Sequence, residues 1–191
     1  MDPGYQTWCL GSLAEIHALR PDLEIGDRLA AVVEFLSYCA HPDGSFGGPY
    51  GSRMTRFLLP GGLEALSGES PTSRSLASFS RRSIAEQRCV TLASIDAPNM
   101  APFFNDYCRA AAWELRGTTR PSMGPKAKKT APLPCERPAF RKRFDDAGLL
   151  VDRGADHYTI VALRKGGLFV HCRDGEARRT DPGFVGRLSG G

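Results

Sequence analysis

The sequence of 191 residues predicts an α+β protein in which helices come first and an antiparallel β-meander follows. Three observations predict this class. Apolar residues recur at helical spacing in residues 5–116, and the period changes to two after Phe144. Between these regions lies a segment rich in proline and lysine that has little to bury. We therefore divide the chain into a helical segment at 1–116, a linker at 117–138 and a β segment at 139–191.

The first helical signal is a hairpin. Residues 6–19 carry apolar side chains and precede Arg20 and Pro21, a pair that is typical of a helix end. The next run, 23–39, has acidic residues in its first turn and places apolar residues on one face. Because the connection is short, the two helices are expected to pack side by side. The apolar positions of the second run are Ile25, Leu29, Val32, Val33 and Leu36.

Two further helices are predicted before the linker. Ser70 is typical of an N-cap and Pro71 of a first helical turn, so a helix begins there and continues toward Cys89. The clearest amphipathic pattern of the chain covers residues 103–115.

The β segment shows short aliphatic runs separated by turns rich in glycine and aspartate. This pattern predicts three or four antiparallel strands within residues 147–188, with no parallel pairing. A meander of this size needs further strands or helices against it. The runs are 149–151, 157–163 and 168–172.

Composition and charge limit the possible functions. A net charge of +4 permits an anionic partner without demanding one, and no apolar run is long enough to span a membrane. The N-terminus lacks the pattern of a signal peptide, so cytoplasmic location is the default expectation.

Six cysteines without a CxxC pair and four scattered histidines indicate reduced thiols, no metal and no cofactor. Lysines 126, 128 and 129 are typical of a solvated linker, and nucleic acid is not an expected partner.

The most informative segment is the glycine-rich stretch 41–53. Glycine at this density lets the backbone turn tightly. It is not a phosphate-binding loop, because no Gly-Lys-Ser/Thr follows, and not a dinucleotide fingerprint, because it follows a helix. It carries groups capable of proton transfer or anion binding, and a rigid turn between helices stays an equal alternative. These groups are His41, Asp43, Tyr50, Ser52 and Arg53.

Residues 2–16, 42–53, 144–151 and 165–169 together resemble the heparinase II/III-like group, in which an α/α toroid precedes a β-sandwich. The helical hairpins and Asp-Gly-Ser-Phe-Gly-Gly also resemble, more loosely, toroids of the terpenoid-cyclase kind. The resemblance implies an incomplete toroid followed by a partial sandwich. Such a chain is expected to be a fragment of a larger protein, completed by flanking segments or by self-association.

The resemblance also implies a chemistry. Lyases of this group cleave uronate polysaccharides by β-elimination, which needs a group to neutralise the carboxylate, a base and an acid. Arg53 would hold the carboxylate, and Tyr50 and His41 would exchange protons. The expected partner is thus an acidic polysaccharide or oligosaccharide. Further substrate-binding residues implied by the loop are Asp43, Ser52, Phe46 and Arg56.

Three alternatives remain at this point, and one of them is a toroid fragment of the terpenoid-cyclase kind. A noncatalytic remnant would bind polysaccharide through the loop and the aromatic residues Phe46, Tyr50 and Phe57. A glycosidase would need a pair of carboxylates such as Asp43 and Glu64, whose separation the sequence does not test.

Overall fold

The computed structural model describes residues 1–117 and 129–181, and within these ranges it confirms the α+β class. The α-helices of this part are α1 Pro3–Leu19, α2 Gly26–Ser37, α3 Gly61–Ala65, α4 Pro71–Ala85 and α5 Ala97–Gly117. Short 3₁₀ turns lie at Pro21–Leu23 and Pro134–Glu136. The strands are β1 Phe140–Phe144, β2 Leu149–Arg153, β3 His157–Ala162, β4 Phe169–Arg173 and β5 Arg179–Asp181.

The hairpin of α1 and α2 is present, although α1 begins at Pro3, before the predicted residue 6, and α2 is shorter than the predicted 23–39. Local capping explains where α1 and α4 begin. The side chain of Asp2 begins α1 by accepting hydrogen bonds from the N–H groups of Gly4 and Tyr5, at 3.1 and 3.3 Å. The predicted N-cap of α4 is confirmed, because Ser70 Oγ accepts from the N–H of Ser73 at 3.0 Å. The amphipathic helix α5 is also confirmed, although it begins earlier than predicted, at Ala97.

All five described strands form one sheet in chain order, and every neighbouring pair is antiparallel, as predicted. The first strand, β1, lies outside the predicted runs because its three central side chains are exposed and basic, which hides the alternation. The helical half contains one isolated parallel bridge, between Phe57 and Val90. The part of the strand prediction beyond residue 181 lies outside the described residues.

One apolar core joins the helices to the inner face of the sheet. Tyr158 of β3 is fully buried, and its hydroxyl donates to the carbonyl of Tyr38 at 2.7 Å. The ring of Phe35 in α2 meets that of Phe144 edge to face at 5.1 Å. The helices thus cover one face of the sheet, and the opposite face carries the half-buried and exposed residues of each strand.

The stretch before β1 contributes more to this core than its composition predicts. Leu133 and Cys135, within the predicted linker, are 2% and 5% exposed. Lys129 is exposed, and residues 126 and 128 lie outside the described part.

The short helix α3 lies between α1 and α5. Its Gly62 approaches the backbone of Leu10 and Gly11, and the N–H of Gly61 donates to Asp106 of α5 at 2.8 Å. Burial raises the pKa of Asp106, although the bond from Gly61 acts in the opposite direction. None of the described helices is both long and apolar enough to cross a membrane.

Candidate functional site

The glycine-rich segment 41–53 leaves α2 and forms a tight loop between the helices and the sheet. Gly47 has φ +65°, and a Cβ at this position would lie 2.6 Å from the carbonyl oxygen of Thr55. Only glycine fits there without moving the neighbouring backbone. The turn carries Phe46 inward, where its side chain is completely buried.

Four side chains of the loop form a continuous hydrogen-bond chain. Ser45 Oγ donates to Asp43 Oδ1 at 2.5 Å. Because that hydroxyl has a single proton, His41 Nδ1 must donate to Ser45 Oγ, over 2.8 Å. In the neutral ring His41 Nε2 is then an acceptor, and the Tyr50 hydroxyl donates to it at 3.1 Å. The chain therefore runs in one direction, from Tyr50 in the interior to the Asp43 carboxylate at the edge.

Burial fixes the charge state of this chain. His41 is 1% exposed and Tyr50 is 3% exposed. Burial lowers the pKa of His41 to about 3 and raises the pKa of Tyr50, so both are neutral at pH 7. Burial acts to raise the pKa of Asp43, but the hydrogen bonds from Ser45 and the nearby charge of Arg178 outweigh it. The Asp43 carboxyl is therefore ionised.

Two basic residues from turns of the sheet hold the loop in place. Arg178, between β4 and β5, donates to Ser45 Oγ and lies 3.9 Å from Asp43 Oδ2. Lys165, between β3 and β4, donates to three loop carbonyls, those of Pro49, Gly51 and Ser52. These contacts connect the loop to residues more than a hundred positions later in the chain.

Replacing Lys165 by methionine keeps the apolar stem and removes the three donors. We expect the free energy of unfolding to fall by about 1–2 kcal/mol, toward the low end for hydrogen bonds of a charged group because two of the three are exposed. Urea denaturation measures this change. Lys129→Met makes the same change of charge at an exposed site and is expected to leave the denaturation midpoint in place. Equal midpoints for the two variants would show that Lys165 does not hold the loop.

The other predicted site residues lie on the outside of the loop. Arg53 is exposed; its backbone N–H donates to Asp2 Oδ2 at 3.0 Å, and its guanidinium lies 5.8 Å from the centre of the Tyr5 ring. Ser52 and Arg56 are also exposed. Within the described residues, the structure gives the Arg53 guanidinium no contact with the hydrogen-bonded side chains that run from Tyr50 to Asp43. The predicted site residues thus form a buried group and an exposed group. The buried residues are His41, Phe46 and Tyr50, and the exposed ones are Asp43, Ser52, Arg53 and Arg56.

The sequence did not single out the aromatic surface beside Arg53. Tyr5 is 37% exposed and Trp8 is half-buried, and their rings are nearly parallel, with centres 6.3 Å apart and planes at 8°. Their spacing of three residues places them side by side on α1, which is the signal that could have indicated this surface.

The remaining candidate residues have structural partners. Both carboxylate oxygens of Glu64 in α3 accept from Arg81 Nη1, at 2.7 and 2.6 Å. In the described parts of the chain, no three acidic, histidine or cysteine side chains are grouped so that they could hold a metal ion.

No family model, curated protein or solved structure matches the chain.

Proposed function

We propose that the protein binds an acidic saccharide of the uronate type on the surface formed by Tyr5, Trp8 and Arg53. The observation that carries this proposal is the position of the exposed Arg53 guanidinium over the ring of Tyr5, next to the parallel ring of Trp8. The surface therefore combines one cation with two aligned aromatic faces.

The aromatic rings suit the apolar faces of sugar rings. Binding surfaces for organic ligands are largely aromatic and aliphatic, and a few polar groups fix the orientation. Tyr5 also meets the ring of Phe57 edge to face at 6.2 Å, so its ring is held in place before a ligand arrives. An ordered ring loses little entropy on binding.

The charge of Arg53 suits a carboxylate. Its planar guanidinium can donate two parallel hydrogen bonds to one carboxylate group, a geometry that lysine lacks. Among residues 1–117 and 129–181, no carboxylate forms an ion pair with the Arg53 side chain. This differs from Arg81, Arg109 and Arg141, each of which is paired with a carboxylate of the chain.

Titration of the full chain with a uronate oligosaccharide tests the proposal. Arg53→Ala is expected to weaken binding about 10- to 100-fold, the range for loss of a hydrogen bond between charged groups. Arg53→Lys keeps the charge and loses the fork, so its loss is expected to be smaller. Tyr5→Ala removes the stacking face and is expected to weaken binding as well.

Arg143→Ala is the matched control, because it removes an exposed arginine on β1, away from the proposed surface. It is expected to bind like the unmodified chain. A neutral glucose oligomer of the same length should bind weakly to all variants. If Arg53→Ala and Arg143→Ala bind the uronate oligomer equally, the proposed surface is wrong.

The second candidate function is β-elimination of the same ligand. The observation that favours it is the directed chain from Tyr50 through His41 and Ser45 to Asp43, since such a chain can carry a proton. Catalysis requires the Tyr50 hydroxyl to touch the sugar, and this side chain is 3% exposed. Binding is therefore the function that we favour.

Absorbance of the unsaturated product separates the two candidates. A lyase produces ultraviolet absorbance from a uronate polymer, and Tyr50→Phe would abolish it while binding survives. A binding protein produces none. A product signal lost in Tyr50→Phe would replace our proposal with the catalytic one.

A further inference from the structure

The outward face of α5 is apolar along its length. Met100, Phe104 and Leu115 are 47%, 60% and 72% exposed, and Cys108 lies exposed between them. The opposite face of the helix packs inward through Phe103, Asp106 and Ala110. On an amphipathic helix the outward positions are normally polar. The exposed apolar residues that form the α5 face are Met100, Ala101, Phe104, Cys108, Ala111, Ala112 and Leu115.

Large and small residues are unevenly distributed on this α5 face. Phe104 and Met100 lie at its N-terminal end, next to an open apolar groove of about 410 Å³. Small residues follow in the second half, and Leu115 ends the face. The groove is lined by Leu92, Ala97, Met100, Ala101 and Phe104.

We infer that two copies of the chain pack through the α5 face, antiparallel, about a two-fold axis at Cys108. In such a pair, residues equally far from Cys108 on either side face each other. Phe104 of each copy then lies on Ala112 of the other. Leu115 of each copy faces Ala101 and enters the groove of the other. Phe104 and Leu115 thus each meet a small residue or a cavity, which is the packing that a helix pair needs.

The size of the α5 face agrees with a dimer contact. Its exposed side chains amount to roughly 500 Å² per copy, and the pair therefore buries about 1,000 Å², the lower limit for a specific interface. Asn105 and Glu114 are exposed beside the face and supply a polar rim. A contact at this lower limit belongs with weak interfaces, and we expect the pair to dissociate at about micromolar concentration.

Sedimentation velocity over a range of concentrations tests the dimer. The unmodified chain is expected to shift from monomer to dimer in the micromolar range. Phe104→Glu places a charge in the contact and is expected to raise the dissociation constant about 100-fold. Leu13→Glu is the control, because Leu13 is a 40% exposed apolar residue on α1. It is expected to leave the dimer unchanged. Circular dichroism checks that the variants keep their helix content.

Ala112→Phe distinguishes specific pairing from nonspecific association of apolar surfaces. It adds apolar surface, so nonspecific association would become stronger. In the proposed pair it collides with Phe104 of the other copy and is expected to raise the dissociation constant at least about 10-fold.

Cross-linking tests the position of the two-fold axis. Diamide takes up the two protons and two electrons released when two thiols form a disulfide. Cys9 and Cys108 are the exposed cysteines of the described chain. A Cys9→Ser variant is expected to cross-link as a dimer, and a Cys108→Ser variant is not. A monomer at all concentrations, equal dissociation of Phe104→Glu and Leu13→Glu, or cross-linking through Cys9 would each overturn the inference.

Discussion

Gly62→Ala is expected to lower the free energy of unfolding by about 3 kcal/mol or more. A Cβ at this position would lie 2.6 Å from the backbone nitrogen of Gly11 and 2.6 Å from the carbonyl carbon of Leu10. Both atoms belong to the backbone of α1 and cannot rotate away, so α3 has to move off α1. Overpacking of this kind costs 1–3 kcal/mol where side chains can adjust, and more where they cannot.

Two other glycines give a graded control for this prediction. A Cβ at Gly11 would lie 3.3 Å from Asp106 Oδ1, a side-chain atom that can shift, so Gly11→Ala is expected to cost less. A Cβ at Gly68 meets nothing within 4 Å, and Gly68→Ala is expected to change stability by no more than about 0.5 kcal/mol. Thermal unfolding should rank the variants in this order. Similar midpoints for Gly62→Ala and Gly68→Ala would show that α3 is not held in close contact with α1.

This contact also explains why α3 was not predicted. It has five residues, begins with two glycines, and has too few apolar positions for a period to be read. Its conformation depends on the neighbouring helices α1 and α5, which lie far from it in the sequence. The helix at Ser70 and Pro71 was predictable because its capping signal is entirely local. The strands show a similar contrast. Buried and less buried residues alternate along β2, β3 and β4, so these strands were predictable, whereas the basic strand β1 lacks this alternation.

The candidate site was predicted only as a set of loop residues. The sequence places His41, Tyr50 and Arg53 close together, but spacing in a loop does not tell which side chains turn inward. Lys165 and Arg178 decide which side chains turn inward, because they bind the loop from turns of the sheet. The aromatic partner of Arg53 comes from the opposite direction, from Tyr5 on α1. Such long-range partners cannot be read from the pattern of a single loop.

Lowering the pH from 6.5 to about 4.5 is expected to remove about 2 kcal/mol of stability through His41 alone. An unfolded histidine titrates near 6.5, whereas burial lowers the pKa of folded His41 to about 3. Between these values the unfolded chain binds one proton more than the folded chain. The free energy of unfolding therefore falls as the pH falls, by up to about 1.4 kcal/mol per pH unit. Above 6.5 both states are neutral and the effect is absent.

Other titrating groups either change the free energy of unfolding in the opposite direction or act outside pH 4.5–6.5. Burial raises the pKa of Glu64 and of Asp106, so the stability that they contribute is lost as the pH rises. Hydrogen bonds with His157 lower the pKa of Asp152 and Asp156, whose contributions are lost only below their ordinary value near 3.8. Hydrogen bonds to these two carboxylates raise the pKa of His157, and its effect appears above 6.5. A variant is therefore needed to isolate His41.

His41→Asn is that variant, because its amide can still donate to Ser45 and it does not titrate. The Tyr50 hydroxyl, 3.5 Å from the carbonyl of Cys39, can turn to that acceptor instead. The variant is expected to be less stable at pH 7, but its stability should depend less on pH than that of the unmodified chain. Urea denaturation at several pH values between 4.5 and 7 measures the difference between the two slopes. Parallel curves would mean that folded His41 takes up its proton as readily as unfolded histidine, and that burial does not keep its ring neutral between pH 4.5 and 6.5.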